Sequence, residues 1–246
     1  MTTFKLPSVA EKHDYVHGQF ERIARRYDLT NDCISMGMHR WWKINAVQAL
    51  QLRDGGSYLD VCCGTGDLAL TIARWMGERG MVTGLDFSGN MLDVARAREQ
   101  RARRRGRLSC DMAWKQGDAQ DLPFAENTFD GAIISFGLRN LTDFQAGLNQ
   151  MRRVVKPGGR VINLDLGDPT MPVFTPIFNA YFRHIVPIIG EVLQQDRKAY
   201  TYLPESRNAY PKPAQLSEMF KQAGLVNVHW VPLAMGSVAM HVGTVE

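Results

Sequence analysis

The chain is poor in cysteine, has no long apolar run and carries little net charge. Its four cysteines, Cys33, Cys62, Cys63 and Cys110, form no Cys-x-x-Cys pair, and no histidine stands at metal-ligand spacing from them. That excludes a zinc site and a disulfide framework, so no metal is expected and a reducing compartment fits. The opening run MTTFKLPSVAEKHD lacks the apolar stretch of a secretory leader, and no window approaches the ~18 uninterrupted apolar residues of a membrane span. A cytoplasmic protein is expected, with contact to a membrane surface only at its periphery. A formal net charge of +4 is too small to argue for a nucleic-acid partner. The arginines Arg96, Arg98, Arg101, Arg103, Arg104, Arg105 and Arg107 do crowd one stretch, which reads as a solvated helix end whose cations suit the helix C-terminus.

Hydrophobic residues at 45% and charged residues at 22% describe an ordinary globular chain, expected to form a single domain over residues 1–246. Residues 1–54 read as an N-terminal helical segment: Phe20, Ile23, Ala24 and Tyr27 recur at spacings of three and four, and WWKINAVQALQL repeats the pattern. From Ser57 onward, short apolar runs alternate with amphipathic ones, the signature of successive βα units around a parallel sheet. Strands are expected at 57–63, 81–87, 112–118, 129–136, 160–166, 227–234 and 237–245, with helices at 67–76, 89–100, 143–155 and 214–223. The Lys156-Pro157-Gly158-Gly159 turn should stop a helix before the fifth strand. The last two strands follow each other through Met235-Gly236 and should pair as an antiparallel hairpin, making a Rossmann-like α/β sheet of seven strands. Residues 168–212 form an aromatic-rich insertion cut by Pro169, Pro172, Pro176 and Pro187. It should break into short pieces, as a lid over an apolar substrate or as ordinary core helices.

The chemistry concentrates where the first strand ends. In Asp60-Val61-Cys62-Cys63-Gly64-Thr65-Gly66-Asp67-Leu68-Ala69 a buried-type strand runs into a glycine turn and then a helix, whose free N–H groups and partial positive charge suit a nucleotide-like ligand. Gly64, Gly66 and Ala69 also satisfy a dinucleotide pattern, but Asp60 would repel a pyrophosphate. A cationic sulfonium and α-amino group would welcome it, which favours S-adenosylmethionine over a nicotinamide cofactor. Asp86 stands at the end of the second strand, where an acidic side chain can accept from both ribose hydroxyls. Asp118 could take the adenine amino group, Ala119 leaves room for the ring, Met91 could cover its face, and Ser135 ends the fourth strand beside the same crevice.

Flanking motifs narrow the reading. Tyr27-Asp28-Leu29-Thr30-Asn31, Ser35, Gly37, His39-Arg40 and Trp42-Lys43 form one block, Phe136-Gly137-Leu138-Arg139-Asn140 a second, and Arg153 to Arg160 a third. Over nearly its whole length the chain resembles class I S-adenosylmethionine-dependent methyltransferases, and within them the family that C-methylates quinol rings in ubiquinone, menaquinone and phylloquinone biosynthesis. The resemblance implies cofactor contacts at Thr65, Asp86, Asp118, Ala119 and Ser135. It departs from the family at Asp165-Leu166-Gly167 and at Cys62-Cys63, and the cysteine pair looks like the phylloquinone branch. The implied substrate is a lipophilic prenylated naphthoquinol, demethylmenaquinol or 2-phytyl-1,4-naphthoquinol. A ubiquinone-pathway benzoquinol is the alternative and RNA methylation a further one, although no Asn-Pro-Pro-Tyr or Pro-Cys motif occurs. No nucleic-acid partner is expected; a homodimer is.

Carbon methylation needs an electron-rich ring, hence a base for a quinol hydroxyl and a donor for the oxyanion that results. Arg139 and Asn140 are the candidate donor pair, with Arg139 pairing an acid across the crevice as the structural alternative. A guanidinium is a poor base. His39 and His184 have suitable intrinsic acidity, and His39 is the preferred catalytic histidine. Tyr27 and Tyr200 are expected to close the substrate pocket, beside the run Tyr202 to Ser206.

Overall fold

The computed structural model describes residues 9–169, 171–194, 206–207 and 209–246. The N-terminal segment is helical, as its periodicity requires: α1 (Val9–Ile23), α2 (Tyr27–Ser35) and α3 (Met38–Ala49). The alternating part follows as β1 (Ser57–Val61), α4 (Asp67–Trp75), β2 (Met81–Asp86), α5 (Gly89–Arg104), β3 (Asp111–Gln116), β4 (Phe129–Ser135), α6 (Phe144–Val154) and β5 (Val155–Leu166). After the insertion come α9 (Pro213–Gln222), β6 (Leu225–Leu233) and β7 (Val238–Val245).

The sheet has seven strands in the order β3-β2-β1-β4-β5-β7-β6. The first five are parallel; β7 runs antiparallel to both β5 and β6, so the expected hairpin is present and β6 forms the edge. Side chains alternate faces along each strand. In β4, Ala132 and Ile134 join one core cluster with Leu148 and Phe220 from α6 and α9, whereas Ile133 joins the opposite one with Val47, Ile72 and Val82. A third cluster caps the strand ends: Ile23, Ala24, Met91, Phe182 and Val186 are buried there, with Phe20 and Tyr27 packed against them. The apolar residues of α1 and α2 therefore cover the crevice, whereas α3 packs on the sheet face through Trp42, Ala46 and Val47.

Three details differ from the sequence-based expectations. The Lys156-Pro157-Gly158-Gly159 run lies inside β5, which starts directly after α6; Gly158 adopts φ +77 and the register with β4 slips between Phe129 and Gly131. The glycines absorb a bulge there, so no separate turn is needed. The insertion is also less broken than its prolines suggest: α7 (Phe174–Ala180), a π-helical turn (Tyr181–Ile185) and α8 (Val186–Gln194) follow without a gap. Pro176 and Pro187 sit in the first turns of α7 and α8, and the widened turn before Pro187 accommodates its missing N–H. Finally, Arg98 does not belong to a solvated face, for reasons given below. Among the described residues no helix is long and apolar enough to cross a membrane.

Candidate active site

The loop after β1 is shaped by close approaches. Gly66 has φ +74, and a Cβ there would lie 2.5 Å from the Trp114 ring. A Cβ on Gly137 would come equally close, 2.5 Å, to that of Cys62. Cys62 and Phe136, which face each other across this gap, both hold left-handed backbone conformations, at φ 55 and 56. Strain of this kind in non-glycine residues gathers at functional sites.

Two buried carboxylates flank the loop. Asp60 accepts from the Ala69 N–H at 2.9 Å, which ties β1 to the first turn of α4. Burial pushes its carboxyl up to about 8, against that hydrogen bond and the nearby Lys43 ammonium. Asp86 accepts from the N–H groups of Gly64 at 2.8 Å and Ser88 at 2.9 Å, and burial raises it to about 6. Both would be relieved by a cation.

Two cavities open over the strand ends and share Tyr27, Cys62, Gly64, Ser135 and Phe136. The smaller, about 680 Å3, is walled by Asp86, Met91, Asp118 and Ala119 and roofed by His13, Val16 and Phe20 of α1. The larger, about 1650 Å3, takes Asp60, Thr65, Lys43, His39, Trp42 and Arg139, with an apolar outer wall from the insertion. Asp118 accepts from the Gln120 N–H at 2.8 Å. Gly66 shapes the turn and belongs to neither wall. The Ser135 hydroxyl is buried without a partner among the described residues, at the junction of the two spaces.

Sequence reasoning paired Arg139 with Asn140; the structure separates them. Leu138–Asn140 is a 3-10 turn, which directs neighbouring side chains ~120° apart. Arg139 points to the larger cavity and Asn140 to the smaller, where its amide donates to the Phe136 carbonyl at 3.3 Å. Arg139 also donates to Asp165 at 2.5 Å inside the fold, so the acid across the crevice is real. His39 is buried in the wall of the larger cavity. Its Nε2 donates to Asp32 at 2.8 Å, while Nδ1 has no partner among the described residues. Burial, then the Lys43 charge, holds the ring below the usual histidine range, which keeps it neutral with its lone pair on Nδ1. His184, by contrast, is exposed on the π-helical turn and belongs to neither wall. Tyr200 and the run 202–205 lie outside the described residues.

A further network escaped the sequence. Arg98 donates to Asp28 at 2.7 Å, to Asp67 at 2.8 Å and to the Thr65 hydroxyl at 3.0 Å; Thr65 in turn donates to Asp28 at 2.6 Å. Lys43 completes it at 3.0 Å from Asp67. Thr65 thus clamps α2 onto the glycine loop, with its backbone left to line the cavity. Nothing distinguishes Arg98 within its arginine-rich run except a helical position facing the loop. Lys12 of α1 likewise donates to the carbonyls of Arg139 and Leu141, at 3.1 and 2.5 Å, fastening the roof of the smaller cavity.

This trough suits S-adenosylmethionine: a narrow arm with carboxylates for a ribose and an adenine, an orphaned hydroxyl at the junction, and a buried acid beside the wider arm for a cationic end. Among the described residues no cluster of histidine, cysteine and carboxylate side chains could hold a metal.

Comparison with known proteins agrees with this architecture. A demethylmenaquinone methyltransferase of Desulfitobacterium hafniense is 43% identical over 230 residues, covering 94% of this chain and 89% of that protein. One of Halalkalibacterium halodurans is 39% identical over 236 residues, covering 96% and 94%. Among solved structures, a SAM-dependent methyltransferase from Thermotoga maritima superposes with a TM-score of 0.62 at 17% identity, covering 94% of this chain and 99% of that one. The [4+2]-cyclase SpnF does so at 0.60 and 16%, covering 94% of each, so the fold alone does not name a reaction. The model of the ubiE/COQ5 methyltransferase family matches residues 8–245. With that match and relatives near 40% identity along almost its full length, this chain belongs to the ubiE/COQ5 methyltransferase family and uses S-adenosylmethionine as methyl donor.

Proposed function

We propose that the chain methylates a ring carbon of a prenylated naphthoquinol, demethylmenaquinol or 2-phytyl-1,4-naphthoquinol, in menaquinone or phylloquinone biosynthesis. The observation that carries this reading is the larger cavity, which joins a neutral histidine and an arginine at the cofactor end to an apolar outer wall. Relatives named demethylmenaquinone methyltransferase support the same acceptor. The RNA alternative loses ground because Arg98 of the basic run is engaged at the glycine loop with Asp28 and Asp67, and the exposed Arg103 is tied to Glu99 and the Cys110 carbonyl.

When bound, S-adenosylmethionine supplies an electrophilic methyl group. The chain aligns the acceptor with it, excludes water and moves one proton. In this reading Asp86, Met91, Asp118 and Ala119 hold the adenosine, and Asp60 faces the cationic end. His39, in the wall of the larger cavity, is the histidine assigned to take the proton of a ring hydroxyl, with Asp32 holding its ring through Nε2. Arg139, which stays protonated, faces the phenolate oxygen. Tyr27 stands between the two arms, and Asn140 serves the adenosine arm. The cavity mouth, with Met36, Ile177 and Met235 exposed, is the face that meets a membrane surface.

The test is transfer of a labelled methyl group to reduced demethylnaphthoquinol, with a benzoquinol and bulk RNA in parallel. Methylated naphthoquinol is expected, and methylation confined to either control would overturn the assignment. Flotation with anionic liposomes should carry the protein upward; protein left entirely below would remove the membrane contact.

A further inference from the structure

The turn Leu138–Asn140 sends one side chain to each cavity, Arg139 to the larger and Asn140 to the smaller. It leaves Phe136 in a left-handed conformation just before it, and Asp165 holds Arg139 through both its side chain and its N–H. The carbonyl side of the turn is held by a different segment altogether. Lys12 of α1 donates from Nζ to the Arg139 carbonyl at 3.1 Å and to the Leu141 carbonyl, and stands 5.0 Å from the centre of the Phe144 ring at the start of α6. Two carbonyls and a ring face thus surround the ammonium with electron-rich partners. Burial, and then the Arg139 charge, push it down to about 8. A tie serving stability alone would do as well with a neutral donor, which would not set a second cation beside Arg139.

Lys12 also belongs to the roof of the cofactor arm. His13 is its neighbour and Val16 lies one turn further on, and both line the smaller cavity. The far end of α1 is held by Glu21, which accepts from the Ser88 hydroxyl at 2.6 Å and from the Asn90 N–H at 3.3 Å. Ser88 in turn donates its N–H to Asp86, the carboxylate of that arm. The roof is therefore tied at one end to the loop carrying Asp86 and at the other to the backbone of Arg139.

We propose that Lys12 is a positioning residue that joins the two arms: a cofactor seated in the smaller cavity holds α1 down, and Lys12 then fixes the Arg139 carbonyl with its guanidinium set toward the larger cavity. The acceptor site is complete only once the cofactor is bound. This role rests on the reading in which Arg139 faces the acceptor.

The test compares the wild-type chain with Lys12→Met, which keeps the stem and removes the donors, and with Lys12→Arg, which restores them. Lys12 is only partly buried, so neither change disturbs the core. Backbone hydrogen exchange is followed with and without saturating S-adenosylhomocysteine. In the wild-type chain the ligand should slow exchange both at the glycine loop and in residues 138–141; in Lys12→Met the slowing should persist at the loop and vanish from the turn. S-adenosylhomocysteine should also tighten binding of an oxidised naphthoquinone roughly tenfold, and Lys12→Met should bring that factor close to one. Quenching of Trp42, in the wall of the larger cavity, reads this binding. Lys12→Arg should recover both effects. Turn exchange slowed equally in Lys12→Met, or a tightening factor that survives the change, would overturn the coupling. Turn protection that depends on Lys12, with no naphthoquinone bound by any of the three chains, would sustain the coupling while the acceptor assignment falls.

Discussion

The buried His39 donates from its imidazole Nε2 to the half-buried carboxylate of Asp32 at 2.8 Å, while Arg40 grips the same carboxylate through two bonds of 2.9 and 2.6 Å. Asp32 is thereby held below the usual carboxylate range, first by the Arg40 hydrogen bond, and the imidazole is fixed in one tautomer. His39→Asn should lower kcat by ~10² to 10⁴ with cofactor affinity retained in calorimetry. Unchanged turnover would remove His39 from the mechanism.

The pair also sets a pH dependence. His39 must be neutral to act, and its pKa is lowered by burial and the Lys43 charge, while Asp32 and Asp67 raise it. The acid limb of kcat/KM should accordingly lie below the usual histidine value. Asp32→Asn removes a raising influence and should move that limb to still lower pH, with kcat reduced. A limb that stays in place would show that Asp32 does not act through His39.

Asp60 and Asp86 supply a second pH effect. Their folded carboxyls are pushed up to about 8 and about 6, above the ordinary aspartate value of 3.8, so the folded chain holds protons that the unfolded chain has released. Stability without ligand should fall as pH rises from about 4 toward 8, read as a declining Tm. A cationic ligand favours ionised Asp60, so binding of S-adenosylmethionine near pH 7 should expel a proton. Calorimetry in buffers of different ionisation enthalpy would detect it, and Asp60→Asn should abolish it. Binding with no proton release in the wild-type protein would place the cation elsewhere.

Arg139→Ala is a poor probe of the oxyanion, because it strands Asp165 in the interior at a cost of about 3–5 kcal/mol. The double change Arg139→Met with Asp165→Leu keeps the volume and removes both charges. Folding should survive with a Tm near wild type, and kcat should fall by ~10² or more. Full activity in the double variant would confine Arg139 to a structural role.

Arg98→Met should destabilise by ~2–3 kcal/mol in denaturant titration and weaken the cofactor, since it unlocks Asp28, Asp67 and Thr65 together. Loss under ~0.5 kcal/mol would return Arg98 to the solvated surface.

Most of the sheet is legible in the chain because strand signals are local: runs such as Ala132 to Ile134 and Val161 to Ile162 are apolar whichever neighbours they acquire. The cofactor side chains are legible for a related reason, since βα topology forces the ends of β1, β2 and β4 together, bringing Asp60, Asp86 and Ser135 to one crevice. The division of Arg139 from Asn140 is not legible, because one residue of 3-10 geometry decides which cavity each side chain enters.

By itself, then, the sequence determined the alternating elements, the glycine turn at Gly64 and Gly66, and the carboxylates set around it. All are properties of residue type and short spacing. Only the tertiary structure decided that Arg98 clamps Thr65, that Asp32 orients His39, and that Phe174, Phe178 and Phe182 stack along one wall of the larger cavity. Each depends on contacts between segments far apart in the chain or on which face of a helix finds a partner, and those are settled by packing.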